Sequence, residues 1–139
     1  MLELKDRSFQ KLELMDSFID VLSKYNVINK TILSSFSMAN LKQAKKVSSS
    51  ILTCFITPIN LSPNIDTDIL APYFPILWLN PVYSDKVHRV NKLVSVWDPH
   101  PEYRIKGYLR QHVDIVTGDN PLKILSAISI ALSENFMPQ

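Results

Sequence analysis

The chain has 139 residues, a length that predicts one domain. With 46% hydrophobic and 20% charged residues it can bury a core, so it is not a disordered segment. Its formal net charge of +2 is too small to indicate nucleic-acid binding by itself, and its single cysteine excludes an internal disulfide and a multi-cysteine zinc site.

Two glycines in the whole chain, Gly107 and Gly118, is an unusually low count. Phosphate-binding loops, dinucleotide fingerprints and nucleophile elbows all need glycine where the backbone turns tightly or approaches a ligand, so these signatures are absent. The N-terminus carries charges from Glu3 onward and has no apolar signal-peptide region. We therefore expect an intracellular protein, cytoplasmic or nuclear, that does not contact a membrane.

Residues 1–46 form the predicted helical part. Residues 8–25 carry an apolar stripe at helical spacing, with Phe9, Met15 and Ile19 among its members. Residues 30–46 are predicted to form a second helix, weakened by several serines.

Residues 47–117 form the predicted strand- and loop-rich part. Val47 to Ile59 is free of charge and rich in β-branched residues, which predicts a central strand. Asp98 to Pro101 is a strong turn signal. Further strands are predicted at Phe74 to Leu79 and Val87 to Trp97. Glu102 to Leu109, with Gly107 marking a bulge, and Gln111 to Thr117 predict two more short strands or one bent strand.

Residues 119–136 predict the clearest helix in the chain. Asn120 is a good cap and Pro121 fits the first turn. Apolar residues surround most of this helix, so we expect it to be buried on more than one side. The whole chain, residues 1–139, therefore predicts a single α+β domain: two N-terminal helices, a mostly antiparallel sheet of about four strands and a buried C-terminal helix.

An aromatic segment rich in proline provides the candidate partner-binding residues Tyr73, Phe74, Trp78 and Tyr83. These rings either pack over the core or form an exposed docking surface, since aromatic residues are enriched at interfaces. We favour a non-enzymatic subunit or adaptor of an intracellular multiprotein complex, a hetero-oligomer with protein partners, without cofactors or catalytic residues.

A basic set provides the alternative function, binding of RNA or single-stranded DNA by a basic sheet face next to tyrosines. The competing interpretation is an ordinary solvated surface, because acidic residues are interspersed among the basic ones. The residues concerned are Lys86, Arg89, Lys92, Arg104, Lys106 and Arg110.

A small hydrolase or transferase is the second alternative. Cys54 paired with a histidine would be its nucleophile, but Cys54 lies in an apolar run, where burial makes a thiol inert. The histidines His88, His100 and His112 lie in different predicted elements and lack the spacing of a ligand pair, so no metal site is predicted.

Overall fold

The polypeptide alternates between strands and helices in the computed structural model, which describes residues 1–57, 59 and 62–135. The strands are β1 Leu2–Glu3, β2 Ile32–Ser35, β3 Leu52–Thr57, β4 Ile69–Pro72, β5 Leu93–Trp97 and β6 Ile115–Thr117. The helices are α1 Leu12–Lys24, α2 Met38–Val47, α3 Phe74–Leu79, α4 Tyr83–His88, α5 Ile105–Arg110 and α6 Pro121–Asn135.

All six strands form one parallel sheet in the order β1-β2-β3-β4-β5-β6. Each strand lies beside its predecessor, which is the arrangement of part of a (β/α)8 barrel. The predicted α+β class with a mostly antiparallel sheet of about four strands is therefore wrong. Parallel neighbours need a crossover between them, and most of the helices serve as these crossovers.

The sheet has an outer face covered by helices and an inner face that the helices leave open. Alternation along β3 and β4 sends Phe55 and Leu70 to the outer face, and Cys54 and Ile69 to the inner one. One outer cluster surrounds Met15 and includes the following buried residues: Leu4, Ile19, Leu22, Leu33, Ala44 and Ile51. The second outer cluster contains Leu70, Leu77, Tyr83, Val87, Val94, Val96, Ile105, Tyr108, Ile124 and Ala131.

Three predicted elements are present where the sequence places them. Helix α1 lies within residues 8–25 and buries Met15, Ile19 and Leu22. Strand β3 lies inside the predicted central strand and has β2 and β4 on its two sides. Helix α6 follows Asn120, whose Oδ1 accepts a hydrogen bond from the backbone N–H of Lys123 at 3.1 Å.

Several predicted elements are wrong, mainly because the strands of this fold are short. Residues 30–46 hold strand β2 before helix α2, which begins after its cap Ser37. Phe74–Leu79 is helix α3, because Pro75 fits a first helical turn. In the segment 87–97 only Leu93–Trp97 is a strand.

The segment 102–117 also differs from its prediction of two short strands or one bent strand. Ile105–Arg110 is helix α5, so Gly107 lies inside a helix and marks no bulge. Only Ile115–Thr117 pairs as a strand.

Helix α6 is exposed on one side, which contradicts its predicted burial. Ile124 and Ala131 are 7% and 2% exposed, whereas Leu122 and Leu125 are 78% and 61% exposed. Helix α6 packs against helix α5 and against the residues that precede α5. These contacts lie on one side of α6. Among the described residues, no helix is both long and apolar enough to cross a membrane.

Gly118 holds the turn after β6 against the loop that follows β5. A Cβ atom at Gly118 would lie 2.5 Å from Cδ of Pro101 and 3.0 Å from the carbonyl oxygen of Asp98. We expect Gly118→Ala to lower the free energy of unfolding by roughly 1–3 kcal/mol, since a rigid proline ring has little room to shift. Urea unfolding followed by tryptophan fluorescence measures this change.

Gly107→Ala is the matched control, because a Cβ at that helical position meets nothing within 4 Å. It should raise stability by about 0.5–1 kcal/mol through helix propensity. Equal effects at the two glycines would contradict the packing argument.

Candidate functional site

The carboxyl ends of all six parallel strands meet at one edge of the sheet. This is the edge at which parallel α/β folds bind their ligands, because the loops there diverge and leave room. A cleft of about 520 Å³ opens there on the inner face. Its lining contains Glu3, Lys5, Ser34, Phe36, Ile56, Ala71, Ser95, Trp97, Thr117 and Asp119.

Lys5 and Glu3 are the charged pair of this cleft. Leu4 is buried under α1 on the outer face, so its neighbours Glu3 and Lys5 point to the inner face. Lys5 Nζ lies 3.8 Å from Glu3 Oε2, and the Lys5 side chain is 80% exposed. An ammonium group with three donors and this exposure can bind an anion that enters the cleft.

Small and aromatic side chains shape the rest of the cleft. Ser34, Ala71 and Ser95 point inward from three strands and leave space between them. Phe36 and Trp97 follow β2 and end β5, and they stand 5.9 Å apart, centroid to centroid, with their planes nearly perpendicular. The cleft therefore combines charged side chains, those of Glu3, Lys5 and Asp119, with aromatic ones.

A buried network fixes the loop after β5. Asp98 is fully buried, and its Oδ2 accepts hydrogen bonds from the Tyr108 hydroxyl at 2.5 Å and from Arg104 Nη1 at 3.0 Å. Its Oδ1 accepts from the backbone N–H of His100 at 2.9 Å. Burial and the Asp98 carboxylate both raise the pKa of Tyr108.

No pattern in the sequence indicates that Glu3, Lys5, Phe36 and Trp97 form a site. A strand of two residues is too short for periodicity to register. The only available signal is the alternation of apolar and charged residues from Leu2 to Lys5.

The four predicted partner-binding aromatic residues have different environments. Tyr73 and Phe74 are half-buried and in ring contact at 4.7 Å, and Trp78 is 57% exposed. Tyr83 is 1% exposed, so its ring lies in the core and the interface interpretation is wrong for that residue. Contact of the other three with a protein partner stays a prediction.

The six basic residues of the nucleic-acid alternative do not form a sheet face. They lie on or next to helices α4 and α5, or in the turn before β5. Arg104 is engaged with Asp98, Lys106 pairs with Glu134, and the Lys92 ammonium donates to the Pro63 carbonyl at 3.1 Å. The geometry on which that alternative depended is therefore absent, and nucleic-acid binding stays a prediction.

The three histidines are not grouped as metal ligands: His88 and His112 each pair with an aspartate, between the segments 85–88 and 112–114. His88 Nε2 pairs with Asp114 at 2.8 Å, and His112 Nδ1 lies 3.5 Å from Asp85. His100 lies in the loop after β5. Within the part of the chain that the structure describes, no three His, Cys, Asp or Glu side chains are grouped as metal ligands.

A larger cleft, about 830 Å³, lies at the amino ends of the strands. Its best-placed charges already satisfy one another: Lys45 Nζ lies 2.8 Å from Asp68 Oδ2. Partial burial raises the pKa of Asp68, but hydrogen bonds from Lys45 and Thr53 outweigh it and hold the pKa below its usual value. Because parallel α/β folds bind their ligands at the carboxyl ends of the strands, we place the candidate site there.

Cys54 lies on the inner face with Ile56, Ile69 and Ala71. Burial raises the pKa of its thiol to about 12. We expect Cys54 to react with a disulfide reagent at pH 8 at least 100-fold more slowly in the folded chain than in denaturant, since both access and thiolate are lacking. Absorbance of the released thiolate measures the rate, and equal rates in both states would contradict this burial.

Comparison with known proteins places the fold but no sequence family. No family model and no curated protein matches the sequence. Fourteen solved chains match by structure. A glycerophosphodiester phosphodiesterase from Parabacteroides distasonis superposes with a TM-score of 0.77 at 16% identity, over 96% of this chain and 57% of its own.

Two further neighbours give the same result. An Oleispira antarctica phosphodiesterase, solved with its product sn-glycerol-3-phosphate, has a TM-score of 0.76 at 20% identity over 92% of this chain and 54% of its own. A glycerophosphodiester phosphodiesterase from Agrobacterium tumefaciens has a TM-score of 0.72 at 14% identity, over 91% and 54% of the two chains.

The chain thus spans about half the length of these solved structures. Its fold is α/β and resembles part of a (β/α)8 barrel. These neighbours are hydrolases, which contradicts the prediction of a non-enzymatic subunit or adaptor.

Proposed function

We propose that this chain forms part of the active site of a phosphodiesterase that hydrolyses glycerol phosphodiesters. The observation that carries the proposal is the position of the Lys5–Glu3 pair. It lies in a cleft at the carboxyl ends of the strands, in a fold shared with solved phosphodiesterases.

The Lys5 ammonium supplies the electrostatic part of the reaction. A phosphodiester carries one negative charge, and attack by water concentrates charge on the phosphoryl oxygens in the transition state. A cation at this place stabilises that charge more than it stabilises the substrate. Glu3 Oε2 lies 3.8 Å from the Lys5 ammonium, and both residues line the cleft.

The aromatic side of the cleft supports the same assignment. Phe36 and Trp97 offer apolar ring surfaces in the same cleft as the charged pair. The carbon face of a glycerol group packs against such rings while its phosphate reaches Lys5. The two halves of the substrate thus match the two kinds of side chain in the cleft.

The remaining catalytic groups belong, on this proposal, to further strand–helix units. Within the described sheet, β1 and β6 each have one neighbour, and a closed barrel of this type has eight strands. Two more units would close the sheet.

Ligand binding by the chain itself tests the proposal. NMR titration with sn-glycerol 3-phosphate should shift the amide signals of residues 3–5, 36, 97 and 117–119. The amide signals of residues that line the amino-end cleft should not shift. Hydrolysis of glycerophosphocholine, followed by coupled detection of glycerol 3-phosphate, is the accompanying assay. Signals that move only at the amino-end cleft would overturn the proposal.

A further inference from the structure

Five aromatic rings form an unbroken series at the carboxyl-end edge, here called the aromatic shelf: Phe36, Trp97, Tyr73, Phe74 and Trp78. Successive centroids are 5.9, 5.2, 4.7 and 5.7 Å apart. The rings follow β2, β4 and β5, three different strands. The shelf is therefore a product of the tertiary fold.

The shelf begins in the candidate cleft and leads out of it. Phe36 and Trp97 line the cleft beside Lys5, and Trp78 lies on helix α3 at the other end. Three of the rings keep large exposed fractions: 50% for Phe36, 41% for Trp97 and 57% for Trp78. A contiguous apolar surface beside a polar cleft is characteristic of a site that binds apolar ligand groups.

The outer end of the shelf is held rigidly. The Arg104 guanidinium carbon lies 4.4 Å from the Phe74 centroid and 5.3 Å from that of Trp78. Arg104 is itself fixed by the buried Asp98 carboxylate at 3.0 Å. Since the rings are already ordered, a ligand that packs on them loses little conformational freedom of the protein.

We propose that the aromatic shelf binds the hydrocarbon chain of a single-chain amphiphilic phosphodiester, with the phosphate at Lys5. This inference rests on the proposed function and adds the substrate class. A small polar glycerol ester would use only Phe36 and Trp97. A substrate with a long hydrocarbon chain also contacts the three outer rings and therefore binds with higher affinity.

A series of alkylphosphocholines tests this proposal, because hexyl-, octyl- and decylphosphocholine are phosphodiesters that differ only in chain length. Below their micelle concentrations they are titrated into the full chain, whose two tryptophans, Trp78 and Trp97, report binding by fluorescence. The Kd should fall about two- to fourfold per methylene group, as expected for partial to full burial of each methylene. A Kd independent of chain length overturns the proposal.

Trp78→Ala should weaken binding of decylphosphocholine about tenfold and leave binding of sn-glycerol 3-phosphate unchanged. Trp97 still reports binding in this variant, and Trp78→Phe should restore most of the affinity. Tyr103→Ala is the control, because Tyr103 is 79% exposed near the same edge but contacts no ring of the shelf. Equal losses in Trp78→Ala and Tyr103→Ala would overturn the assignment.

Two comparisons separate this proposal from the one on which it rests. If glycerol 3-phosphate binds at Lys5 but chain length has no effect, the shelf proposal fails and the proposed function stands. If octyl glucoside binds as tightly as octylphosphocholine and Lys5→Met changes neither, the phosphate assignment fails, and the shelf proposal with it. Sedimentation with phosphatidylcholine vesicles, without binding of monomeric amphiphiles, would assign the shelf to a lipid surface and overturn the proposal.

Discussion

Lys5→Met should reduce the affinity for sn-glycerol 3-phosphate by about 10- to 100-fold, the range expected when a charge-assisted hydrogen bond to a phosphate is lost. Methionine keeps the unbranched shape of the side chain, one atom shorter, and removes the charge. Hydrolysis of glycerophosphocholine should fall about 100-fold or more, because a cation beside the phosphoryl group acts mainly on the transition state. Isothermal titration calorimetry and the coupled assay measure the two effects.

Two variants control for charge in general. Lys24→Met removes an exposed lysine from the end of α1 and should change neither quantity. Glu3→Gln removes the negative charge 3.8 Å from Lys5, so the affinity for the anionic product should hold or rise. Loss of product binding in Lys24→Met equal to that in Lys5→Met would show that the effect depends on net charge and not on the cleft.

Asp98→Ala should be among the most destabilising substitutions in the chain, lowering the free energy of unfolding by about 3–5 kcal/mol. The carboxylate is fully buried and accepts from Tyr108, Arg104 and the backbone of His100. Its removal leaves the partly buried Arg104 cation without its carboxylate partner. It also leaves the buried Tyr108 hydroxyl without its acceptor. Urea unfolding at 25 °C measures the change.

Tyr108→Phe removes one donor from the same network and should cost about 1 kcal/mol, which stays measurable if Asp98→Ala does not fold. Asp66→Ala removes an exposed carboxylate in the loop before β4 and should stay within about 0.5 kcal/mol of the unchanged protein. A cost for Asp98→Ala as small as that for Asp66→Ala would contradict the role of the buried network.

The sequence predicts the long elements of the fold well and the short ones poorly. Helix α1 and strand β3 each present a clear period or a long apolar run. Strand β2 has only four residues, two of them serine. Its apolar residues fit a helical spacing, so the sequence pattern predicted a helix there. Phe74–Leu79 has a strand-like composition, yet the proline in its first turn suits a helix.

The candidate site was not predictable by the same means. Lys5, Phe36, Trp97 and Asp119 are far apart in sequence and belong to no motif. They share a cleft because each follows or ends a strand of one parallel sheet. The aromatic residues that the sequence does single out, Tyr73, Phe74 and Trp78, lie beside that cleft. The ring contact of Tyr73 with Trp97, which joins them to it, depends on strand order.

Local sequence determined where the chain can form a helix, which strand is buried and which glycine-dependent motifs are excluded, since these depend on neighbouring residues. Strand direction, the exposed side of α6 and the meeting of Lys5 with the aromatic shelf were decided by the tertiary structure alone. Apolar periodicity records which side chains avoid water but not what covers them, whereas parallel pairing brings together residues that nothing in the local sequence connects.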